Sequence, residues 1–174
     1  RCLMKILKKI LPVILILLVT LVFYYRLLIR QPDGNLKYML SWDSKDYVYP
    51  RLIFNSDCIR NGIWPLWNPY SFGGCPWHSN LSSYLYHPDN LLIILLTGYS
   101  FEIQQYQYLL IFFLAGISMF FCLNEYCRNM FASLLGSLSF MSCGFFISSA
   151  SIPLSTKTLA LFPLLFLFSN KLIT

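Results

Sequence analysis

The sequence predicts an all-α membrane protein, a bundle of several membrane-spanning helices. Of its 174 residues, 57% are hydrophobic and only 11% are charged, and the mean hydropathy is +0.59. Soluble domains carry roughly 25% charged residues, so this composition is typical of an integral membrane protein. The net charge of +6 does not indicate nucleic-acid binding, because four of the thirteen basic residues precede the first apolar run. The positive-inside rule explains that position.

A first membrane-spanning helix is predicted at about residues 9–29. Sixteen uncharged residues separate Lys9 from Arg26, and a span needs about 20 residues. If the Arg26 side chain snorkels to the interface, the segment becomes long enough. A cleaved signal peptide is the alternative, but two tyrosines and an arginine stand where a small-x-small cleavage site is required. We therefore expect an uncleaved helix whose N-terminus is cytoplasmic.

Three further spans are predicted at residues 103–124, 129–150 and 156–172, with a tight turn at 125–128. The last span contains Pro163, which membrane helices tolerate when neighbouring groups satisfy the freed carbonyl. Small residues at positions 132, 133, 136 and 137 would let another helix approach closely. The chain begins at Arg1 and ends just after an apolar run, so we expect residues 1–174 to be the N-terminal part of one longer transmembrane domain.

Residues 31–100 are predicted to form a polar, aromatic loop outside the cytoplasm, because residues 31–90 hold four basic residues against five aspartates. Within it, residues 46–62 have the pattern of a short amphipathic helix that lies along the membrane surface and ends at Gly62. The segment 88–98 is too short to span a bilayer and predicts an interfacial or re-entrant helix. Asp89 or Asn90 could cap its start.

The loop is unusual in its aromatic and proline content. It holds all four tryptophans, both histidines and six of the nine prolines, many of them in the stretch "NGIWPLWNPYSFGGCPW" at residues 61–77. An aromatic belt at headgroup level explains single residues such as Tyr84 or Tyr86. It explains the Pro-Leu-Trp-Asn-Pro and Gly-Gly-Cys-Pro strings less well, because Pro fixes φ and Gly permits positive φ or close approach. These strings favour rigid turns that form the wall of a binding cleft.

Two aspartates near the predicted membrane surface are the candidate catalytic residues. Asp43 and Asp46 follow the first helix, where a carboxylate could act as a general base or hold a divalent cation. Asp57 falls in the middle of the amphipathic helix and is expected to face solvent.

Two other residue groups are candidates for a metal site and a disulfide. His78 and His87 lie nine residues apart near Asp89, but zinc sites usually have tighter paired spacings, so no metal site is predicted there. Cys58 and Cys75 share the loop and could form a disulfide in an oxidising compartment.

The order of the loop motifs resembles the first external loop of YfhO-like bacterial membrane proteins. Asp43 is followed by Tyr49-Pro50, then "NGIWPLWNPYSFGGCPWHSN", then "YLYHPDNLL". The family pattern is an Asp after the first helix, Tyr-Pro, Gly-x-x-Pro-Leu-Trp-Asn-Pro, Gly-Gly-x-Pro and Tyr-x-Pro-x-Asn-Leu-Leu. Residues 131–168 also resemble its third and fourth helices, so the resemblance covers nearly the whole chain. Tyr47 stands where Gln is common and Asp46 is an additional acid, which leaves the catalytic role open between Asp43 and Asp46.

The resemblance implies a glycosyltransferase of the GT-C type, a multi-span bundle with its active site outside the cytoplasm. Such an enzyme moves a sugar from a polyprenyl-phosphate carrier in the bilayer to a teichoic-acid-like polymer of the cell envelope. The acid of the first external loop, Asp43 here, is then the key carboxylate. A cation must stabilise the leaving phosphate, and aromatic faces stack on sugar rings. The substrate-binding residues expected are Arg51, Arg60, Trp64, Trp67, Asn68, Trp77, His78 and Tyr86.

Two other functional classes stay open. A transporter or flippase of lipid-linked precursors would be expected to carry acids within its spans, and none lies in the apolar runs. A non-catalytic membrane assembly factor would use the Trp-Pro loop, residues 61–77, as a partner surface.

Overall fold

The computed structural model describes residues 2–32, 37–38, 43–149 and 152–173, with residues 2–9 and 153–154 described by their backbone alone. The chain is 74% helical, as the predicted all-α class requires. It divides into two units: unit 1 comprises residues 1–40 and 105–174, and unit 2 comprises residues 41–104. The elements in chain order are α1 (Cys2–Phe23), α2 (Tyr49–Arg60), β1 (Trp67–Asn68), β2 (Cys75–Pro76), α3 (Pro88–Leu96), α4 (Phe101–Cys127), α5 (Met130–Met141), α6 (Gly144–Ser148) and α7 (Pro153–Ile173).

Three helical segments in the described part of the chain are long and apolar enough to cross a membrane: Phe101–Cys127, Met130–Ser148 and Ser155–Ile173. They are consistent with a membrane protein. The helix at the predicted first span, α1, ends at Phe23 rather than at residue 29, and a 3₁₀ turn at Tyr25–Leu28 follows it. The residue between them, Tyr24, leaves the helical region at φ −107°, ψ 19°, and its ring stacks on Phe112 with centroids 3.9 Å apart.

The other spans also differ in detail from the sequence prediction. The second span continues through Cys127, and the turn after it shortens because Arg128 adopts φ 50° and Asn129 already caps α5. The third span is interrupted between α5 and α6. Cys143 there is extended, at φ −67°, ψ 142°, and its Sγ accepts a hydrogen bond from the Phe146 amide.

Helix α1 runs antiparallel to α4 within unit 1. Ile16 of α1 lies beside Gly116, while Tyr24, further along the chain, meets Phe112, which lies earlier in α4. The short turn after α4 then makes α5 antiparallel to α4. Helix α7 is parallel to α4, because Ser118 Oγ donates to the Ala160 carbonyl and Lys171 pairs with Glu125 at 3.3 Å. The N-termini of α1 and α5 and the C-termini of α4 and α7 therefore share one end of the bundle.

Unit 2 is built around α2. A π-helical turn, Ser44–Val48, leads directly into this helix, and a buried apolar cluster packs beneath it, formed by Val48, Leu52, Tyr84, Ile94 and Tyr99. The helix ends at Arg60, and Gly62 follows with φ +73°, as the predicted stop requires. Strands β1 and β2 form a small antiparallel ribbon that the all-α prediction did not include, pairing Trp67 with Pro76 and Asn68 with Cys75.

The start of α3 is not capped in the way the sequence suggested. His87 occupies the N-cap position in an extended conformation, without a side-chain capping bond, and Pro88 follows at the first helical position. Proline disfavours helical geometry in the residue before it, which fixes the boundary there. Asp89 is thus inside the first turn, and the Asn90 side chain instead donates to the Tyr84 carbonyl at 3.4 Å.

Candidate functional site

The candidate acids lie at the start of the helical segment that carries α2. Asp43 is the N-cap residue of the π turn, and Asp46 lies in the first turn after it. Both side chains are exposed, so both carboxylates are open to a ligand. π-Helical turns are rare and occur frequently at functional sites.

Asp43 shares its surroundings with a buried phenol and a guanidinium. Burial raises the pKa of Tyr84 above its usual value of 10.0, Tyr47 raises it further, Arg51 lowers it and Asp43 raises it. The charges of Asp43 and Arg51 thus act on the Tyr84 pKa in opposite directions. Asp43, Tyr47 and Arg51 follow one another at intervals of four residues, which places them along one face of the helical segment.

Arg51 is fixed in position by its contacts. Its side chain is 8% exposed, and its Nη1 donates to the Ser82 carbonyl at 2.8 Å. The guanidinium lies over the Tyr47 ring at 3.6 Å from the centroid and 5.1 Å from that of Trp77. A guanidinium stacked between aromatic rings is a stable cation with its direction set. Arg51 therefore supplies a fixed positive charge eight positions after Asp43, about 12 Å further along the helical segment.

Trp77 lies in the interior of unit 2 and not on a cleft wall. It is fully buried, its Nε1 donates to Asn55 Oδ1 at 2.6 Å, and the ring of Phe54 meets it edge-on at 5.6 Å. Since none of the indole is accessible to solvent, the predicted stacking of a sugar on Trp77 is incompatible with this arrangement. Its role here is packing.

Trp64 and Trp67 differ from Trp77 because they are 47% and 57% exposed. The Trp67 ring lies against Gly74, where an added Cβ would come within 2.7 Å of Cζ2 of the indole. Gly74 also has φ +111°. The glycine pair thus provides both the positive φ and the close approach that the sequence indicated, and it leaves Trp67 on an exposed ribbon.

The remaining polar candidates, Asn68, His78 and Tyr86, differ in their exposure to solvent. Asn68 is buried, and its Oδ1 accepts a hydrogen bond from the Tyr70 amide at 2.9 Å, so its side chain shapes the turn of the ribbon. His78 is exposed, with Nδ1 3.4 Å from the Leu66 carbonyl. Tyr86 is also exposed. His78 and Tyr86 are accessible to a ligand, whereas Asn68 serves the local fold.

Arg60 does not share a site with Asp43. It lies 17 positions later on the same helical segment, which at about 1.5 Å per residue separates the two backbones by about 25 Å. Its Nη1 instead donates to the Thr97 carbonyl at 2.8 Å. Of the two predicted phosphate-binding arginines, Arg51 is the nearer to the candidate base along this segment.

The described residues assemble neither a metal site nor a disulfide. No group of three or more His, Cys, Asp or Glu side chains is gathered there to hold a cation. Cys58 and Cys75 are free thiols. Burial raises the pKa of the Cys58 thiol, and the neighbouring Asp57 carboxylate raises it further. Asp57 itself is exposed, as the sequence predicted.

One hydrogen bond next to Asp43 could not be predicted from the sequence. Gln104 Nε2 donates to the Ser44 carbonyl at 3.0 Å, and both side chains are buried. The partners are 60 positions apart, so no local pattern relates them. Gln104 Oε1 is buried without a hydrogen-bond partner in the described part of the chain. The turn that begins at Asp43 is therefore held in place by the start of α4.

Comparisons of the chain with protein-family models, with curated proteins and with solved structures find no match. The resemblance to YfhO-like proteins depends on the sequence alone, chiefly on its loop motifs.

Proposed function

We propose that this chain is part of a membrane glycosyltransferase that moves a sugar from a polyprenyl-phosphate carrier to a teichoic-acid-like polymer outside the cytoplasm. The observation that carries the proposal is an exposed carboxylate, Asp43, on the same helical segment as the fixed guanidinium of Arg51, with the Tyr84 pKa responding to both charges. These residues belong to unit 2, which is formed by the part of the chain between the predicted spans at residues 9–29 and 103–124. The loop motifs shared with YfhO-like proteins supply the reaction class.

Asp43 and Arg51 suit the two charge changes of glycosyl transfer. An acceptor hydroxyl attacks the anomeric carbon and gives its proton to the Asp43 carboxylate, which acts as general base. The bond between the anomeric carbon and the phosphate oxygen breaks, and the carrier phosphate leaves with the electron pair. A fixed cation stabilises the developing negative charge on that oxygen. Of Arg51 and Arg60, Arg51 is the proposed cation because it lies nearer to Asp43 along the helical segment.

Asp43 is favoured over Asp46 as the base. The Asp43 charge acts on Tyr84, as the Arg51 charge does. Tyr47, one of the two positions at which the chain departs from the YfhO pattern, has its ring centroid 3.6 Å from the Arg51 guanidinium. The residue that replaces Gln in the family pattern therefore packs against the proposed cation, and the aspartate of that pattern is retained at Asp43.

The proposed sugar-binding surface is the exposed aromatic ribbon. Trp64 and Trp67 have accessible ring surface, and the indole face is apolar enough to stack on the C–H face of a pyranose. His78 and Tyr86 are exposed polar side chains that can orient sugar hydroxyls.

The charge distribution favours the proposed orientation. Arg128 and Lys171 lie at the bundle end shared by the α1 N-terminus, and the sequence adds Lys5, Lys8 and Lys9 to that terminus. By the positive-inside rule this end is cytoplasmic. Residues 31–100 join α1 to α4 in the sequence, so the proposed location of this loop is extracytoplasmic.

Substitution of Asp43 in the full-length protein tests the proposal. Asp43→Asn, expressed as the only copy in the cell, should abolish transfer, measured as the sugar content of the purified envelope polymer. The matched control is Asp57→Asn, an exposed aspartate on α2 that should retain transfer. Asp46→Asn separates the two candidates, because loss in that variant alone would assign the base to Asp46. Full transfer with both Asp43→Asn and Asp46→Asn would refute the proposed catalytic role of this unit.

A further inference from the structure

Helix α3 presents apolar side chains to its surroundings on one face and to the core of unit 2 on the other. Leu92, Leu95 and Leu96 are 57%, 63% and 74% exposed, while Asn90 and Ile94 are each 1% exposed. Positions 92, 95 and 96 follow the spacing that places side chains on one side of a helix. An exposed leucine face of this kind requires an apolar neighbour.

A cation lies at the C-terminal end of that leucine face. Arg60 is exposed, its Nη1 donates to the Thr97 carbonyl at 2.8 Å, and its guanidinium lies against Gly98. This contact satisfies a carbonyl at the negative end of the α3 dipole. A guanidinium carries five N–H donors, so this bond leaves donors available for an anion beside the leucines.

The chain itself places this face close to a membrane-spanning segment. Helix α3 ends at Leu96, and α4, a candidate span, begins at Phe101. Even fully extended, the intervening link reaches at most about 18 Å. The link is also tied down, because the Tyr99 amide is bonded to Ser56 Oγ at 2.9 Å. The C-terminal end of the leucine face, at Leu96, is therefore at most about 18 Å from the point where α4 begins.

We propose that the leucine face of α3 and Arg60 together form a phospholipid-binding surface. The three leucines lie among the upper acyl chains of the leaflet that α4 enters first, and Arg60 bonds headgroup phosphates at its edge. Interfacial helices combine apolar burial with basic side chains in this way. This assignment takes Arg60 away from the proposed transfer reaction, and it stands whether or not the chain is a glycosyltransferase.

Collision measurements on spin labels test the surface in the full-length protein. Single cysteines at Leu92, Leu95, Arg60 or Lys45 are introduced into a cysteine-free chain whose circular dichroism matches the native protein. Each is labelled with a nitroxide and reconstituted in vesicles of phosphatidylcholine and phosphatidylglycerol. Lys45, an exposed residue at the other end of the α2 segment, is the aqueous control.

The proposal predicts a specific order of bilayer depth for the four spin labels. Labels at 92 and 95 should collide more with oxygen than with a nickel chelate, the label at 45 should show the reverse, and the label at 60 should lie between them. Nickel access at 92 and 95 equal to that at 45 would show a water-exposed face and overturn the proposal. Exclusion of both reagents there would show that a protein surface covers the leucines, which also overturns it.

A second measurement retains the native cysteines. Leu95→Trp should make the protein fluorescence more sensitive to quenching by brominated phosphatidylcholine than it is in the native chain. Leu81→Trp is the comparison, since Leu81 is an exposed leucine of unit 2 outside α3. Equal quenching of the native chain and Leu95→Trp would contradict insertion of the leucine face.

Discussion

The indole of Trp77 and the side chain of Asn55 form one buried hydrogen bond, with Nε1 2.6 Å from Oδ1. Asn55 uses its other polar atom as well, since its Nδ2 donates to the Ser83 carbonyl at 2.8 Å. A single fully buried amide thus joins α2 both to the segment after β2 and to the 3₁₀ turn at Leu81–Ser83. These bonds hold the Trp-Pro loop on α2, the helix whose preceding turn carries Asp43.

Asn55→Leu should destabilise unit 2 because it leaves the Trp77 N–H and the Ser83 carbonyl buried without partners. Each such group costs about 1–3 kcal/mol, so the expected loss in the free energy of unfolding is at least about 2 kcal/mol. The measurement is unfolding of the purified protein in detergent, followed by tryptophan fluorescence. Asn61→Leu is the control, because Asn61 is exposed at the end of the same helix. Equal stability of the two variants would show that the hydrogen bonds of Asn55 do not stabilise unit 2.

Alkaline pH should destabilise the protein through Tyr84. Its pKa is raised in the folded state, mainly by burial, so the folded state retains this proton at pH values where the unfolded state has lost it. Stability is therefore unaffected below the unfolded pKa of about 10 and falls as pH rises from there towards the folded pKa. Tyr84→Phe should remove part of this fall, measured as the unfolding midpoint from about pH 9 to 11. Tyr86→Phe, at an exposed tyrosine, should leave the fall unchanged.

The helices of this protein were largely predictable from its sequence because they follow from continuous apolar runs. Their ends were less predictable, since a contact decides them. Tyr24 leaves α1 where its ring stacks on Phe112, and the break before α6 depends on the local geometry at Cys143. Such endings carry no compositional signal.

The candidate site stays a prediction, and the accessibility of its residues could be foreseen from the sequence only in part. The exposed Asp43 and Trp67 agree with the accessibility that a ligand site needs, but the same motif contains the fully buried Trp77. A Trp in a Pro-Gly string can face either way, and the choice depends on Asn55, which lies 22 positions earlier. The separation of Arg60 from Asp43 likewise emerges once both are known to lie on one continuous helical segment.

A substitution at Gly116 tests the packing of α1, α4 and α5 in unit 1. A Cβ at this position would lie 2.3 Å from Met141 Sδ and 2.6 Å from Ile16 Cγ2. Because small residues let membrane helices approach closely, Gly116→Ala should cost about 1–3 kcal/mol through overpacking. The measurement is loss of helicity with increasing mole fraction of dodecyl sulfate.

The control for Gly116 is Gly144→Ala, since a Cβ at Gly144 meets no atom of the described chain within 4 Å. That change should be neutral or stabilise by up to about 1 kcal/mol through helix propensity. Equal effects of the two alanines would contradict the close approach of Ile16 and Met141 to α4.

Gly98→Ala tests the contact between Arg60 and the end of α3. Gly98 has φ +78°, and a Cβ there would lie 2.1 Å from Arg60 Nη1, so alanine should both strain the backbone and displace the guanidinium. Gly62 has a nearly equal φ of +73° with open space around it among the described residues, so Gly62→Ala measures the backbone strain alone, about 1–2 kcal/mol. Gly98→Ala should cost more than Gly62→Ala in the native chain. In an Arg60→Ala background the free-energy costs of the two alanine substitutions should converge, because the clashing guanidinium is absent. If Gly98→Ala still costs as much more than Gly62→Ala in that background, Arg60 does not lie against the end of α3.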